Sequence, residues 1–456
     1  MMGVHEKFQL KTLKDLSNRI KALKVHIPVS EDIDVLKQPV RLRDKIIPNS
    51  MAVQPMEGCD GTPAGEPDEL TFRRYRRFAS GGAGLIWIEA TAVVHDGRAN
   101  PRQLYLCRRN KDGFARLLDT IMEAAKAQFG PDHRPYTVVQ LTHSGRYSKP
   151  EGKPAPIIAA TNPYLDPYLS GGYSVISDEQ LEELEDRFVE AAELASEIGF
   201  DAVDIKSCHR YLNSELLSAF TREGNYGGSF DNRTRFLVNI VDKIKQRLGD
   251  AIDVTLRLNV YDAIPYPYGW GVDKHDYRKP DLSEPIQLVK ILHNKGVKMV
   301  NITCGNPYYN PHVNRPYDSG PYIPPEHPLE GVARMLGVAK AIQDNVPDMA
   351  VLSSGLTWLR HLSPHVAAGG IKEGWFRIAG FGRMAFAYPD FARDLLEKGA
   401  LNEKKCCIAC GKCSEIMRDG GKAGCVIRDA KIYAPIYRAG REGKPPIQSD
   451  RLAEHV

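Results

Sequence analysis

The sequence predicts an α/β fold, a (β/α)8 TIM barrel followed by a C-terminal cysteine-rich segment. Short apolar runs rich in β-branched residues alternate with amphipathic helical stretches, which is the pattern of repeated βα units. Eight such runs occur, and polar or titratable residues follow several of them, as expected at the carboxyl ends of barrel strands. The predicted strands are Lys45–Gln54, Gly84–Thr91, Tyr136–His143, Ala202–Cys208, Asp253–Asn259, Met299–Cys304, Ala350–Gly355 and Phe376–Gly382.

The composition is that of a globular protein without a strong charge bias. Of the 456 residues, 42% are hydrophobic and 26% are charged, and the formal net charge is only +4. These values give no reason to expect a nucleic-acid or membrane partner. Residues 1–7 lack the apolar core of a signal peptide, and no later run is long enough to span a bilayer, so we expect a cytoplasmic protein.

Three regions are predicted along the chain: an N-terminal leader over residues 1–40, the barrel over 41–400, and the cysteine segment with a tail over 401–456. We expect the leader to pack outside the barrel. Ser177 precedes an acidic first turn and is predicted to cap a helix. Helices are predicted over Leu13–Leu23, Asp178–Ile198, Ser283–Lys295 and Leu329–Asn345.

Two predicted loops, 260–282 and 305–328, are longer than most connections in a compact domain and are rich in Tyr and Pro. Long loops at a barrel mouth commonly form lids or binding walls, which we expect of both. A disordered excursion is the alternative, but the aromatic content of the loops argues against it.

The fourth predicted strand leads directly into a group of titratable residues. Its apolar residues end at Ile205, and Lys206, His209 and Tyr211 follow within six positions. A cation, an imidazole and a phenol this close together can hold an anionic or carbonyl group and supply a proton. The alternative is an ordinary strand end followed by solvated polar residues, and these residues alone leave both interpretations open.

Other strand ends carry groups suited to a phosphorylated flavin. Gly355 and Gly382 end the seventh and eighth strands, where barrels often bind phosphate through backbone N–H groups, and Arg383 adds a cation. Gln140 offers a donor and an acceptor to a flavin ring edge, and Arg257 would stabilise the anionic reduced flavin. A glutamine satisfied within the core and a surface ion pair are the alternatives.

Five of the nine cysteines lie between Cys406 and Cys425. Cys407, Cys410 and Cys413 have the spacing Cys-x2-Cys-x2-Cys, and Cys425 follows after eleven residues. This arrangement suits a [4Fe–4S] cluster, whereas structural zinc sites prefer two separated Cys-x2-Cys pairs. Cys406 falls outside the spacing and is not expected to be a ligand.

Four motifs resemble the old yellow enzyme family of FMN oxidoreductases, most closely its iron–sulfur branch with 2,4-dienoyl-CoA reductase and trimethylamine dehydrogenase. The similarity extends from about Arg43 to Cys425. The motifs are Gln-Pro-Met at 54–56, Gln-Leu-Thr-His-Ser-Gly-Arg at 140–146, His-Arg-Tyr-Leu at 209–212, and Tyr-Gly-Gly-Ser-Phe-Asp-Asn-Arg at 226–233, which is the most specific.

The resemblance implies FMN and a [4Fe–4S] cluster as cofactors, and it assigns roles by position. The flavin would be lined by Pro55, Met56 and Ala90. Its pyrimidine edge would bond to Gln140 and Arg257, and its phosphate to Gly355, Gly382 and Arg383. Lys206 and His209 would grip the activating group of the substrate, and Tyr211 would protonate the carbon opposite the hydride.

Two residues depart from the family pattern. Lys206 replaces the usual first anchor, and a cation there would favour a carboxylate or a strongly polarised carbonyl. Glu57 occupies a position that is Thr or Cys in many relatives, and if ionised beside the flavin it would disfavour the reduced anion. Since no cysteine lies at that position, the covalent flavin link of the amine dehydrogenase is not expected; Cys59 is expected to be a free thiol.

The source of electrons is left open by the sequence. Related reductases continue into a second half that binds FAD and a nicotinamide, but here no Gly-x-Gly-x-x-Gly follows a predicted strand. We therefore expect electrons to come from NAD(P)H at the flavin or, through the cluster, from an electron-donor flavoprotein.

These features predict an ene-reductase that reduces an activated C=C bond in a small anionic or carbonyl-activated substrate, with hydride from FMN N5 and a proton from Tyr211. The first alternative is an amine or other C–N dehydrogenase that passes electrons through the cluster to a partner flavoprotein, although Lys206 would repel a cationic substrate. The second alternative is an electron-transfer subunit without a substrate of its own. A homo-oligomer is compatible with all three.

Overall fold

A closed barrel of eight parallel strands lies at the centre of the computed structural model, which describes residues 5–42 and 44–444. The strands in chain order are β1 (Val40–Leu42), β2 (Lys45–Ile47), β3 (Met51–Val53), β4 (Leu85–Ala92), β5 (Tyr136–Thr142), β6 (Ile157–Ile158), β7 (Ser174–Val175), β8 (Ala202–Ile205), β9 (Asp253–Asn259), β10 (Met299–Thr303), β11 (Ala350–Ser353) and β12 (Ile378–Phe381). The barrel order is β3-β4-β5-β8-β9-β10-β11-β12, and β12 pairs back onto β3. The predicted TIM barrel is confirmed.

Helices cover the outside of the barrel, and neighbours in sequence contact each other there. They are α1 (Leu13–Leu23), α2 (Glu69–Ser80), α3 (Lys111–Phe129), α4 (Asp178–Ile198), α5 (Leu212–Leu217), α6 (Phe230–Leu248), α7 (Ser283–Asn294), α8 (Pro311–Asn314), α9 (Pro328–Asn345), α10 (Ser363–Lys372), α11 (Arg383–Ala387), α12 (Phe391–Lys398), α13 (Lys412–Arg418) and α14 (Ala430–Arg441). A lipid bilayer could not be crossed by any helix of the described residues, because none is both long and apolar enough.

The capping signals in the sequence place the helices accurately. The Ser177 hydroxyl accepts a hydrogen bond from the Gln180 N–H at 3.1 Å, so α4 begins where its acidic first turn predicts. Thr12 caps α1 in the same way, through the Asp15 N–H at 3.1 Å. The other two predicted helices, now α7 and α9, differ from their predicted bounds by one residue at one end.

The first predicted strand, Lys45–Gln54, is wrong in its first half. Residues 45–47 form β2, which pairs antiparallel with β1 outside the barrel, and only β3 enters the barrel. Pro48 cannot donate to a ladder, and the Asn49 side chain closes the turn by accepting from the N–H groups of Met51 and Gly84 at 3.1 and 2.9 Å. The other seven predicted strands overlap the observed ones.

The interior of the barrel changes from apolar to polar along its axis. Alternate strand residues such as Trp87, Val138 and Leu352 form one buried cluster with Val40 and Ile47 of the hairpin, which fills the amino-terminal end. Because side chains alternate along a strand, the next inward positions are two residues further on. These positions carry the polar residues Gln54, Gln140, Asp204 and Asn301, and beyond them the strands open into the mouth.

The leader and the cysteine segment both pack against the barrel units. In the leader, Phe8 lies edge-on against Trp358 with ring centroids 5.2 Å apart, and the Ser30 N–H donates to the His365 carbonyl at 2.9 Å. In the cysteine segment, Asp429 accepts hydrogen bonds from Arg73 and Arg77 of α2. The region boundaries at 40 and 400 stay predictions, and the predicted tail beyond residue 444 lies outside the described residues.

Candidate active site at the barrel mouth

One cavity at the carboxyl ends of the barrel strands, here called the mouth cavity, brings the predicted site residues together. Every residue assigned from the sequence to flavin or substrate lies in its wall: Pro55, Met56, Glu57, Ala90, Gln140, Lys206, His209, Tyr211, Arg257, Gly355, Gly382 and Arg383. The cysteine segment also contributes to the wall, through Cys413, Ser414, Met417 and Arg418. The segment is therefore part of the cavity and not a separate appendage.

A sharp turn after β8 places Lys206, His209 and Tyr211 in the wall of this cavity. His209 and Arg210 both have left-handed backbones, with φ of 64° and 59°, which costs about 1 kcal/mol or more for each non-glycine residue. The buried Arg210 side chain offsets this cost by pairing with Asp262 at 2.9 Å and with the Ser218 hydroxyl. Reversal of the chain at these residues returns Tyr211 to the same cavity as Lys206.

Lys206 and Tyr211 are in direct contact. The Lys206 ammonium lies 3.4 Å from the centroid of the Tyr211 ring, a cation–π contact inside the wall. Burial lowers the pKa of Lys206, and the neighbouring Cys208 and Glu57 partly oppose that shift. The pKa of Tyr211 is raised well above its ordinary value by burial and by the negative charge of Glu57, so its hydroxyl stays protonated.

Glu57 is held beside the Tyr211 hydroxyl. Its Oε1 accepts from the Asn100 amide at 3.0 Å, and its Oε2 accepts from the Tyr211 hydroxyl at 3.5 Å. Burial raises the pKa of Glu57, while the Lys206 cation opposes the shift. Because a raised pKa favours the neutral carboxyl, Glu57 would repel an anionic reduced flavin less than an ordinary glutamate would.

A buried carboxylate below the cavity positions two of the predicted flavin contacts. Asp204 accepts from the Gln140 amide at 2.5 Å, from the Trp87 indole at 2.9 Å and from the Arg257 backbone N–H at 2.7 Å. Burial raises the pKa of Asp204 to about 6 even though these hydrogen bonds oppose the shift. Sequence reasoning did not identify Asp204, although its position two residues before Lys206 on an alternating strand places both on the inner face.

Three buried nitrogens in the cavity wall have no hydrogen-bond partner within the described residues. They are His209 Nε2, Arg257 Nε and Arg383 Nη1. A buried polar group without a partner is costly and is rare in folded proteins, so each of these atoms suits a ligand group. They belong to the residues predicted to contact the substrate, the flavin ring and the phosphate, respectively, and unpartnered donors of this kind fit the flavin that the sequence implies.

Cations gather at the end of the cavity near α11. Arg383 donates through Nη2 to the Pro316 carbonyl at 2.9 Å, and Arg315 and Arg418 line the same wall. Burial and the neighbouring Arg383 lower the pKa of Arg315 to about 10. No ion pair joins these three arginines to a carboxylate of residues 5–42 and 44–444. An anion such as a phosphate would relieve their mutual repulsion.

Glycine is required where the predicted phosphate loops approach the cavity. Gly355 has φ of 96°, and a Cβ there would meet the Met335 sulfur at 2.9 Å. Gly380, two residues before Gly382, has no room for a side chain, because a Cβ would lie 2.1 Å from the Gln54 amide nitrogen. At both positions, glycine allows the backbone itself to line the cavity.

Arg315, Arg418 and Tyr308 are site residues that sequence reasoning missed. Arg315 and Tyr308 lie in the loop over 305–328, which the sequence analysis expected to form a binding wall without assigning individual residues. The structure also shows that the most specific motif, 226–233, has a packing role. Arg233 donates to the Leu217 carbonyl at 2.6 Å and pairs with Glu284 at 2.7 Å, outside the cavity.

The four predicted ligand cysteines line a second cavity, here called the cysteine cavity. Backbone N–H groups point at two of the sulfurs: Ala409 donates to Cys407 at 3.4 Å and Arg428 donates to Cys425 at 3.3 Å. Cys406 does not line this cavity, and its thiol donates to the Asn402 carbonyl at 3.4 Å. In the described part of the chain, no group of three or more His, Cys, Asp or Glu side chains is arranged to hold a metal ion.

The cysteine cavity and the mouth cavity share three wall residues, Arg383, Phe386 and Cys413. A group bound among the four sulfurs would therefore lie against the same side chains as a ligand of the mouth cavity. Four cysteine sulfurs are the donor set of a [4Fe–4S] cluster, so these residues fit the cluster that the sequence implies.

Solved structures with the same fold include 2-naphthoyl-CoA reductase in complex with 2-naphthoyl-CoA, with a TM-score of 0.71 and 21% identity over 91% of this chain. Histamine dehydrogenase from Rhizobium sp. 4-9 has a TM-score of 0.63 and 22% identity over 85% of this chain. This chain spans 58% of the length of the first and 50% of the second.

Sequence comparison extends the similarity from fold to family. An NADPH dehydrogenase from Bacillus subtilis (strain 168) is 30% identical over 275 residues, which cover 59% of this chain and 72% of that protein. The family model described as NADH:flavin oxidoreductase / NADH oxidase matches residues 35–308, more than half of the chain. The chain therefore belongs to the NADH:flavin oxidoreductase / NADH oxidase family and is a flavin-dependent oxidoreductase.

Proposed function

We propose that the protein is an FMN- and [4Fe–4S]-dependent ene-reductase that reduces a C=C bond activated by a carbonyl or carboxylate group. The observation that carries this proposal is the convergence of a cation, an unpartnered imidazole nitrogen and a protonated phenol on one cavity: Lys206, His209 and Tyr211. In the same wall, Arg257 and Arg383 present unpartnered nitrogens where a flavin ring and its phosphate are expected.

When bound, FMN supplies hydride from its N5 atom. Arg257 and Gln140 would hold the pyrimidine edge of the ring, and Arg383 with the backbone at Gly355 and Gly382 would hold the phosphate. Pro55, Met56 and Ala90 would line the ring, and Glu57 would lie at its edge. Arg315 and Arg418, which form no ion pair within the described residues, would add to phosphate binding because they line the same wall as Arg383.

The substrate end of the cavity supplies polarisation and a proton. Burial and the nearby cations Arg257 and Lys206 lower the pKa of His209 well below its ordinary value, so the imidazole is neutral and can donate from Nε2. His209 and the Lys206 ammonium would bind the activating oxygen and draw electron density from the double bond. Tyr211 would then deliver the proton from its hydroxyl to the carbon next to the activating group.

Cys407, Cys410, Cys413 and Cys425 would hold the [4Fe–4S] cluster, which supplies one-electron transfer. The shared wall formed by Arg383, Phe386 and Cys413 supports exchange of electrons between the cysteine cavity and the mouth cavity. The electrons would come from NAD(P)H at the flavin or from a partner flavoprotein through the cluster. The similarity to an NADPH dehydrogenase supports the first source.

An amine dehydrogenase is the second candidate, and its support is the fold shared with histamine dehydrogenase. The buried Lys206 argues against it, because a cationic amine would bind next to a like charge. A subunit without a substrate of its own would need no open pocket beside the flavin. Turnover of trans-cinnamate or 2-cyclohexenone against histamine would separate these functions.

The proposal is tested by replacing Tyr211 with Phe and following the two half-reactions by anaerobic stopped-flow absorbance. Reduction of the bound flavin should be unchanged, because Tyr211 has no role in it. Reoxidation by 2-cyclohexenone should slow by about 10²-fold or more, since a direct proton donor contributes about 10²–10⁴. Unchanged reoxidation would show that Tyr211 is not the proton donor.

A further inference from the structure

The Tyr211 hydroxyl lies deep in the mouth cavity and must regain a proton after every turnover. The side chain is only 1% exposed, so bulk water does not reach it freely. Two titratable groups of the described residues touch the hydroxyl: the Tyr308 hydroxyl at 3.2 Å and Glu57 Oε2 at 3.5 Å. Among the described residues, these two side chains are therefore the ones placed to hand a proton to Tyr211.

Tyr308 connects the buried hydroxyl with the outside of the molecule. It follows β10 in the loop over 305–328 and, unlike Tyr211, keeps 45% of its surface exposed. It lines the mouth cavity and also a neighbouring outer cavity, whose wall includes Ser148 and Lys149. Of the described residues, Tyr308 is the one that lines both cavities, so it lies between them.

The position of Tyr308 is held by its surroundings. Its ring packs on the Tyr147 ring with centroids 4.0 Å apart and an interplanar angle of 31°. The fully buried Asn306 accepts from the Tyr308 backbone N–H at 2.9 Å and donates to the Tyr147 hydroxyl at 2.8 Å. Asn310 in turn accepts from the Asn306 N–H at 2.6 Å. These contacts fix the Tyr308 hydroxyl against Tyr211.

We propose that Tyr308 is a proton-relay residue that reprotonates Tyr211. After Tyr211 gives its proton to the substrate carbon, the Tyr308 hydroxyl donates its proton to the Tyr211 phenolate and takes a proton from solvent in the outer cavity. One O–H bond breaks and one forms at each step, and no redox partner is needed. The proposal rests on the proposed ene-reductase function and adds the origin of its proton.

Glu57 is the competing route, and the geometry favours Tyr308 over it. The contact of Glu57 with Tyr211 is longer, 3.5 Å against 3.2 Å, and its other oxygen is occupied by Asn100. Glu57 can donate only in its protonated form, whereas the Tyr308 phenol is protonated throughout the ordinary pH range, because even an unperturbed tyrosine has a pKa of about 10. The route through Tyr308 predicts that Tyr308→Phe is impaired, whereas the route through Glu57 predicts that Glu57→Gln is impaired.

The test compares Tyr308→Phe with the matched control Tyr309→Phe, whose ring lines the outer cavity without a contact to Tyr211. In Tyr308→Phe, steady-state turnover of 2-cyclohexenone should slow by about tenfold, with an increased solvent isotope effect, because Tyr211 regains its proton slowly. Flavin reduction and the first reoxidation should be unchanged, since Tyr211 enters them with its proton. Tyr309→Phe should stay within about twofold of the wild type. An unaffected Tyr308→Phe, or slowing by Glu57→Gln alone, would overturn the relay.

A second readout does not depend on turnover. With 3-fluorotyrosine at position 211, a ¹⁹F titration should show a higher pKa of that residue in the Tyr308→Phe background, because the phenolate loses a hydrogen-bond donor. An unchanged pKa would contradict the relay. If Tyr211→Phe leaves reoxidation unchanged, the proposed function fails. If Tyr211→Phe slows reoxidation but Tyr308→Phe leaves steady-state turnover unchanged, the relay alone fails.

Discussion

Lys206 owes its proposed role to its surroundings. It is 5% exposed, lies over the Tyr211 ring and shares its wall with Arg257. Burial is the largest cause of its lowered pKa, so its charge is retained only to a lower pH than that of a solvated lysine. A buried cation of this kind should recognise a carboxylate strongly, but only below the pH at which it loses its proton.

Replacement of Lys206 by Met should therefore weaken binding of trans-cinnamate by about 10–100-fold, because a hydrogen bond to a charged group contributes about 1.5–3 kcal/mol. Lys149→Met, in the outer cavity, is the control and should change the affinity little. In the wild type, the Kd of cinnamate should increase as the pH rises through the lowered pKa of Lys206, and in Lys206→Met this dependence should disappear. A cinnamate affinity that is equal in both proteins would contradict the assignment.

At the residue scale, strand alternation accounts for what could be predicted. Ala90, Gln140 and Arg257 lie within strands, where the period of two fixes the direction of a side chain. The other assigned residues follow strand ends, which all meet at the same edge of the barrel. Arg315 and Tyr308 lie in a long loop and Arg418 lies on α13, so no strand period sets their direction. Their places depend on contacts such as that between Asn306 and Asn310, which join residues within a loop of irregular backbone.

At the scale of elements, α2 is joined to β4 by a buried charge network. Arg74 on α2 pairs with both Asp60 and Glu89, and all three side chains are at most 5% exposed. Glu89 also accepts from the Gly58 N–H at 2.6 Å, so the network holds the loop that carries Glu57. The part of the mouth cavity wall that follows β3 therefore depends on the buried Arg74.

Replacement of Arg74 by Met should destabilise the fold by about 3–5 kcal/mol, because two carboxyl groups would be left buried without their cation. Arg76→Met is the matched control, since Arg76 is an exposed residue of the same helix, and it should change stability by less than about 0.5 kcal/mol. Denaturant unfolding measures both effects. Equal stability of the two variants would show that the network does not join α2 to β4.

The pH dependence of stability should report Glu89. Burial raises its pKa to about 7, although Arg74 opposes the shift, so the folded protein binds this proton more tightly than the unfolded chain. The associated stability is complete at pH values below the ordinary glutamate pKa and is lost as the pH rises toward 7. The stability advantage of the wild type over Glu89→Gln should therefore decrease between pH 5.5 and 8 in denaturant titrations. A difference in unfolding free energy that stays constant with pH would show that Glu89 does not cause this pH dependence.

Helix caps and the strand error show what local sequence can decide about elements. Ser177 and Thr12 define helix starts through bonds to residues three positions later, so α4 and α1 could be predicted from short segments. The hairpin of β1 and β2 could not, because its apolar side chains complete a cluster with strands as distant as β12. The alternation of apolar and polar residues alone does not distinguish this hairpin from a barrel strand.

At the scale of the whole molecule, the mouth cavity and the cysteine cavity share part of their walls. Val40 and Ile47 close one end of the barrel, and the other end opens into a cavity that the cysteine segment helps to line. The segment is fixed to α2 by Asp429, and to the loop after β3 by a hydrogen bond from the Ala423 N–H to the Gly58 carbonyl at 2.6 Å. The eight-strand order could be predicted from the sequence, but the place of the cysteine segment could not, because it depends on these distant contacts.

The most direct test is to measure FMN and iron per chain in protein purified without oxygen. We predict about one FMN and about four iron atoms per chain. In Cys410→Ala the iron should be lost and the FMN retained, whereas Cys406→Ala should retain both, because Cys406 lies outside the cysteine cavity. Protein without flavin, or flavin-containing protein without iron in its four late cysteines, would contradict the account.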